Sequence, residues 1–181
     1  MGNFRILIGD IVSDEILKDH DLIINPTNPM MLAGSGVCGA IFKKAGVDEL
    51  ENYTQIQFNI NRFSEDNYHE ENMMKVGDVR ITPGFNLGMD IMFVQGPRYY
   101  EYPNPIEKLI ETYQNLLNEI KKNNYTNILI PSLGTGIYGF KHEDVGTVVL
   151  NLLNDFVKDN NINIDLVLYR EEDKKYYLNS N

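Results

Sequence analysis

The sequence predicts a three-layer α/β/α sandwich with a mixed central sheet. Two observations predict it: short unbroken apolar runs, and long apolar stripes at three- and four-residue spacing between the later ones. Strands covered on both faces read as continuous apolar runs, and strand-helix-strand order puts helices on those faces.

Taken in order, Arg5 to Ile8 reads as a short strand and Leu22 to Ile24 as a second, covered on both sides. Val79 to Thr82, Ile91 to Val94, Ile128 to Ile130 and Leu166 to Tyr169 follow as further strands. Ile106, Leu109, Ile110, Tyr113, Leu116, Leu117 and Ile120 form one helical stripe that starts after Pro105. Val145, Val148, Val149, Leu152, Leu153, Phe156 and Val157 form another. Residues 59–72 are polar, acidic and without period, and read as an exposed excursion or a frayed helix end. There is no linker or low-complexity tract, so one domain is expected over residues 1–181.

Composition narrows the class. The 181 residues are 43% apolar, enough for a core without disulfide or metal staples. The single cysteine, Cys38, excludes an internal disulfide framework, and His20, His69 and His142 lie too far apart for metal-ligand spacing, so no metal or cofactor is expected. The beginning of the chain carries no long apolar run and Ile6 breaks the myristoylation pattern, so neither a signal peptide, a membrane span nor a lipid anchor is expected. Two Asn-Tyr-Thr triplets (residues 52–54 and 124–126) match a glycosylation acceptor by chance in a chain expected to be cytoplasmic. Sixteen Lys and Arg against 26 Asp and Glu give a net charge of −10, with no basic cluster, which argues against unassisted nucleic-acid binding. An anionic ligand would have to be held by backbone amides.

Two loops offer such amides. Gly34-Ser-Gly-Val-Cys-Gly39 and Gly134-Thr-Gly-Ile-Tyr-Gly139 both fit G-x-G-x-x-G. Each alone is either a phosphate cradle or a plain turn. Residues 25–33 separate the first from its strand, and only one strand remains after the second, so no dinucleotide-binding half-sheet can be built. Each loop nevertheless lies beyond the C-terminal end of a buried strand and leads into a helix, Gly39 to Lys44 or Glu143 to Val157. Two such loops facing each other could clasp one diphosphate.

With the remaining residues beside them, the sequence resembles the macrodomain family. The matching segments are Gly9-Asp10-Ile11, Asn25-Pro-Thr-Asn28, the first glycine loop running into Gly39-Ala-Ile41, Gly96-Pro97, and Pro131-Ser-Leu-Gly-Thr-Gly-Ile-Tyr-Gly-Phe140, in order and at family-like spacing as far as Tyr177. The resemblance implies a mixed sheet between helices and a cleft for ADP-ribose or a mono-ADP-ribosylated protein. It implies that Asp10 accepts the adenine amino group beside the Ile11 amide, with Tyr169 against the ring. Ser35, Gly36 and Val37 would give amides to one phosphate, and Ser132, Gly134, Thr135, Gly136 and Ile137 would surround the other. Asn28 would hold the distal ribose and act in any turnover, Asn25 would support its loop, and Tyr138 would flank the sugar.

Each residue also has a plainer reading. Asp10 could cap a helix over residues 11–17, Tyr169 could be a core or rim tyrosine, Asn25 and Asn28 could brace the turns at Pro26 and Pro29, and Tyr138 could pack under its loop. In the catalytic branch of the family an aspartate stands where this chain has Cys38, yet some members, notably viral ones, lack it and still hydrolyse mono-ADP-ribosyl esters. A neutral thiol is a poor base, and no Cys-His pair is readable that would make it a nucleophile. Three functions are therefore carried forward: hydrolysis of an ADP-ribosyl ester or of O-acetyl-ADP-ribose, a non-catalytic ADP-ribose reader, and a nicotinamide-cofactor oxidoreductase suggested by the doubled glycine motif.

Overall fold

The computed structural model describes residues 2–178, so the ends of the span expected to form one domain lie outside the described residues. In chain order the elements are β1 (Phe4–Ile8), α1 (Asp14–Leu17), β2 (Leu22–Pro26), α2 (Gly36–Ala45), α3 (Val47–Gln57), β3 (Val79–Thr82), β4 (Asp90–Val94), α4 (Pro105–Lys122), β5 (Asn127–Pro131), α5 (His142–Asp159) and β6 (Asn163–Leu168). The strands form one sheet in the order β1-β6-β5-β2-β4-β3, parallel throughout except for the antiparallel pairing of β3 with β4. This is the mixed sheet expected.

Alternation along the strands builds the two outer layers. Leu22 and Ile24 of β2 join Ile128, Ile130, Ile164 and Leu166 in a core closed by Leu109, Tyr113 and Leu116 of α4 and Val145, Val149 and Leu153 of α5. Ile23 lies on the other face with Leu129, Val167 and Phe93, covered by Ile41 and Phe42 of α2 and Leu50 of α3. Successive strand side chains point to opposite faces, so Asn25 falls on the α2 side with Ile23. The helical stripes of α4 and α5 are therefore the inner surfaces of one layer.

Several boundaries differ from the sequence expectation. β6 ends at Leu168, leaving Tyr169 outside it and 80% exposed. The first helix starts at Asp14 rather than at residue 11, and α2 starts at Gly36 inside the glycine loop. Helix α3 has no counterpart in the expectation, because two of its three buried residues, Thr54 and Gln55, are polar. Thr54 Oγ1 donates to the Met31 carbonyl at 2.9 Å, and Gln55 Nε2 donates to the Met30 carbonyl at 2.8 Å. A helix docked through hydroxyl and amide groups leaves only a thin apolar stripe to read. Residues 59–72 are largely exposed, as expected, but Ile60 is buried and pins the excursion to the core under α2 and α3.

This topology fixes where a site can form. β2 and β5 are neighbours and parallel, so the segments that leave their C-terminal ends emerge side by side. The described residues contain no helix long and apolar enough to cross a membrane, and no cluster of three His, Cys, Asp or Glu side chains fit to hold a metal.

Candidate functional site

The two glycine loops line opposite walls of one cleft of about 450 Å³ at the C-terminal ends of β2, β5 and β6. One wall carries Asn28 and Gly34 to Cys38, the other Ser132 and Gly134 to Tyr138, and Tyr169 stands on the rim.

The first wall is the start of a helix. Ser35 occupies the N-cap position of α2 without a side-chain cap, so the first amides of that helix are left to the cleft. Gly39 is required there because a Cβ on it would collide with the Gly34 carbonyl. The second wall is a turn held from below. Gly134 sits at φ +78°, where any side chain would also strike the Phe140 ring. The Phe140 N–H donates back to the Gly134 carbonyl at 3.0 Å, and the Leu133 N–H donates to the Tyr113 hydroxyl at 3.0 Å. Among the described residues no protein acceptor takes the N–H of Gly134, Thr135, Gly136 or Ile137. Both loops therefore present unspent backbone donors to the same space, the arrangement that suits a dianion.

The asparagines divide. Asn28 lies on the cleft wall and spans the Leu32 peptide: its Nδ2 donates to the Leu32 carbonyl at 2.7 Å and its Oδ1 accepts the Leu32 N–H at 3.2 Å. This is the turn bracing anticipated for it, and it leaves one Nδ2 hydrogen and one Oδ1 lone pair for a ligand. Asn25 is off the wall and wholly buried. Its Oδ1 and Nδ2 have no hydrogen-bond partner among the described residues, though the side chain lies near enough to the Cys38 thiol to favour its ionised form.

Cys38 is buried in α2 and donates its thiol proton to the Leu32 carbonyl at 3.7 Å. Burial pushes the thiol up, against the smaller opposing effect of Asn25 and the backbone of Gly34 and Asn28. A neutral thiol committed to a carbonyl is a packing group, not a nucleophile.

Tyr138 both lines the cleft and braces it, joining the two alternatives read from sequence. Its hydroxyl donates to the Thr27 carbonyl at 3.2 Å and accepts from Gln95 Nε2 at 3.1 Å, while the Arg98 guanidinium stacks 5.3 Å over its ring.

Asp10 and Ile11 stand off the wall as well. Asp10 is exposed, and its Oδ1 accepts the Val12 N–H at 3.1 Å. Because α1 begins four residues later, with Ser13 at its N-cap position, Asp10 braces the preceding turn rather than capping the helix. The Ile11 side chain is buried in the core, which leaves only its backbone to face a ligand. Tyr169 stands exposed on the rim of the cleft and is not a core tyrosine.

Among the cleft residues that sequence reasoning missed are three ionisable ones, His142, Arg170 and Asp173. Arg170 is spent on acids, with Glu172 at 3.1 Å and Asp173 at 3.2 Å, so it adds little net positive charge. Burial lowers the His142 imidazole's pKa below its ordinary value. None of the three lies in a glycine motif, and nothing local marks them as neighbours of the loops.

The comparisons agree with this geometry. The family model described as Macro domain matches residues 24–149. The chain is 28% identical over 182 residues to O-acetyl-ADP-ribose deacetylase 1 of Pantoea vagans, covering 98% of each. It is also 28% identical over 159 residues to the ADP-ribose glycohydrolase MACROD2 of Homo sapiens, covering 86% of this chain and 34% of that one. A solved Oceanobacillus iheyensis macrodomain with ADP superposes at a TM-score of 0.80 with 30% identity, over 95% of this chain and 86% of that one.

Proposed function

The chain belongs to the macro domain family, and from that premise we propose that it binds ADP-ribose, free or attached to protein, and hydrolyses an ADP-ribosyl ester or O-acetyl-ADP-ribose. One observation carries the reading: two loops on neighbouring parallel strands turn unspent amides into a single cleft. A diphosphate fits that donor set, and the acidic chain has no cluster of cations to offer instead. The relatives named for ADP-ribose chemistry cover the cleft-forming segments, which supports the same ligand here.

The division of labour follows from the walls. The amides of Ser35, Gly36 and Val37 and those of the second loop take the two phosphates. Tyr169 on the rim, and Asp10 outside the wall just past the end of β1, serve the adenine. Asn28 and Tyr138, joined through the Thr27 segment, serve the distal ribose. Hydrolysis adds one water across the ester and releases the acid and a sugar hydroxyl. With a thiol at residue 38 no carboxylate is available there as base, so acceleration comes from positioning and from the donors around the developing charge. The reaction takes place in the cytoplasm.

Titration calorimetry with ADP-ribose tests the binding, and a single-turnover assay on a mono-ADP-ribosylated substrate or O-acetyl-ADP-ribose tests the hydrolysis. No heat at high micromolar ADP-ribose would sink the reading. Binding without turnover would leave a reader module. The oxidoreductase reading finds no support, because the sheet lacks the 3-2-1-4-5-6 order of a dinucleotide-binding fold.

A further inference from the structure

Behind the second glycine loop lies a three-member relay that ends on an ionisable ring. Tyr177 Oη is 2.6 Å from Ser132 Oγ and 2.7 Å from His142 Nδ1. Ser132 and His142 both line the cleft, whereas Tyr177 is buried between them. Burial pushes the Tyr177 phenol up to about 12, so this hydroxyl keeps its single proton and can give it to only one neighbour.

The direction of donation depends on the imidazole. Asp173 Oδ2 stands 3.6 Å from His142 Nε2, which favours the neutral tautomer with its proton on Nε2 and a lone pair on Nδ1. Tyr177 then donates to Nδ1, and Ser132 donates to Tyr177. In that state Ser132 offers the cleft only lone pairs, which repel an anion. Once His142 is protonated, Nδ1 becomes a donor, Tyr177 must turn its proton to Ser132 Oγ, and the Ser132 proton is released toward the cleft.

We propose that His142 is a positioning residue whose protonation, passed through Tyr177, converts Ser132 from an acceptor into a donor for a phosphate held by the second glycine loop. The proposal rests on the diphosphate reading above and adds a proton to it: binding takes up one proton from solvent, which forms an N–H bond at His142 Nδ1, while the Tyr177 and Ser132 hydroxyls only rotate. Linkage makes the effect reciprocal, so the bound anion raises the affinity of His142 for its proton and acid raises the affinity for the anion. The charged groups facing His142 are Asp173, which favours its cation, and Arg170, which opposes it. Lys141, which precedes α5, and Glu143 on it pair with each other at 3.7 Å on either side of His142, and Tyr113, behind Ser132, is buried deeply enough to stay un-ionised.

The test follows the His142 ring by NMR from pH 5 to 8, alone and with millimolar inorganic pyrophosphate, and follows ADP-ribose binding by calorimetry in buffers of different ionisation enthalpy. Pyrophosphate should shift the His142 titration to higher pH. ADP-ribose should bind about three- to tenfold tighter at pH 5.5 than at pH 8, with net proton uptake. Ser132→Ala should weaken binding and abolish its pH dependence, while Ser132→Thr, which keeps the hydroxyl, should retain that dependence. An unshifted titration overturns the relay, and so does a full shift in Ser132→Ala, which would mean the anion acts on His142 directly through space. If pyrophosphate moves His142 but ADP-ribose does not bind, the ligand reading fails and the relay stands. If ADP-ribose binds without proton uptake, the relay fails and the ligand reading stands.

Discussion

The Tyr138 hydroxyl donates to the Thr27 carbonyl at 3.2 Å and so ties the second glycine loop to the segment that carries Asn28. The same oxygen accepts the Gln95 side-chain N–H at 3.1 Å, which anchors the strut to the end of β4. Tyr138→Phe removes both bonds and leaves the ring in place. We expect a stability loss of about 1–2 kcal/mol in denaturant unfolding and a several-fold weaker ADP-ribose complex. Unchanged values for both would show that the two loops hold their spacing without the strut.

Cys38→Asp places a carboxylate in a buried position beside the unpaired Asn25 amide. Burial should cost stability, and a hydrogen bond from Asn25 Nδ2 should offset part of that cost. If the new carboxylate reaches water near the distal ribose, ester hydrolysis should rise about tenfold or more. A folded, ADP-ribose-binding variant no faster than the parent would refute this. Cys38→Ala should leave turnover nearly unchanged, since the thiol only packs and meets the Leu32 carbonyl.

Asp10→Ala separates the adenine end from the phosphate loops. ADP-ribose should bind about tenfold more weakly, the usual effect of losing a charged acceptor, whereas pyrophosphate should bind as before. Equal losses for both ligands would mean that the Asp10-to-Val12 turn, not the adenine contact, was disturbed.

Salt provides a check on the donor set. With amides and a helix start holding the diphosphate, and Arg170 already paired, affinity should fall only mildly between low and physiological ionic strength. A steep slope in a calorimetric salt series would assign the binding to mobile Lys or Arg side chains instead.

A second polar cluster bears on stability. Asp165, almost wholly buried, takes Arg5 on one side and His20 at 3.0 Å on the other. Burial opposes the His20 cation most strongly, but the hydrogen bond it donates to Asp165, the attraction of that carboxylate and the Lys18 and Leu17 backbone together outweigh it and raise the imidazole above its ordinary 6.5. Burial likewise works against the Asp165 anion, and His20 and Arg5 together hold it below 3.8. The His20 contribution is thus complete below pH 6.5 and fades as pH climbs through the raised value. That of Asp165 is complete above pH 3.8 and fades as pH falls through the lowered one. Stability should peak between the two and decline toward pH 8. His20→Gln should flatten that alkaline decline in a urea-unfolding series, and an unchanged slope would exclude His20 as its source.

Much of this molecule is legible in the chain itself. Apolar runs and stripes are local, repeating signals, and they locate every strand and the helices of the α4/α5 layer because burial of those side chains drives the elements together. The glycine loops and Asn28 are legible for a similar reason, since their backbone demands are met by few residue types. Helix α3 escapes because Thr54 and Gln55 dock it by hydrogen bonds, for which sequence has no period. The strand order decides that the loops after β2 and β5 share one cleft, that Asn25 lies behind it, and that Tyr177, some forty residues beyond the loop, bridges Ser132 and His142. Such polar contacts depend on distances between segments remote in the chain, and only the packed sheet and its two helical layers set those distances.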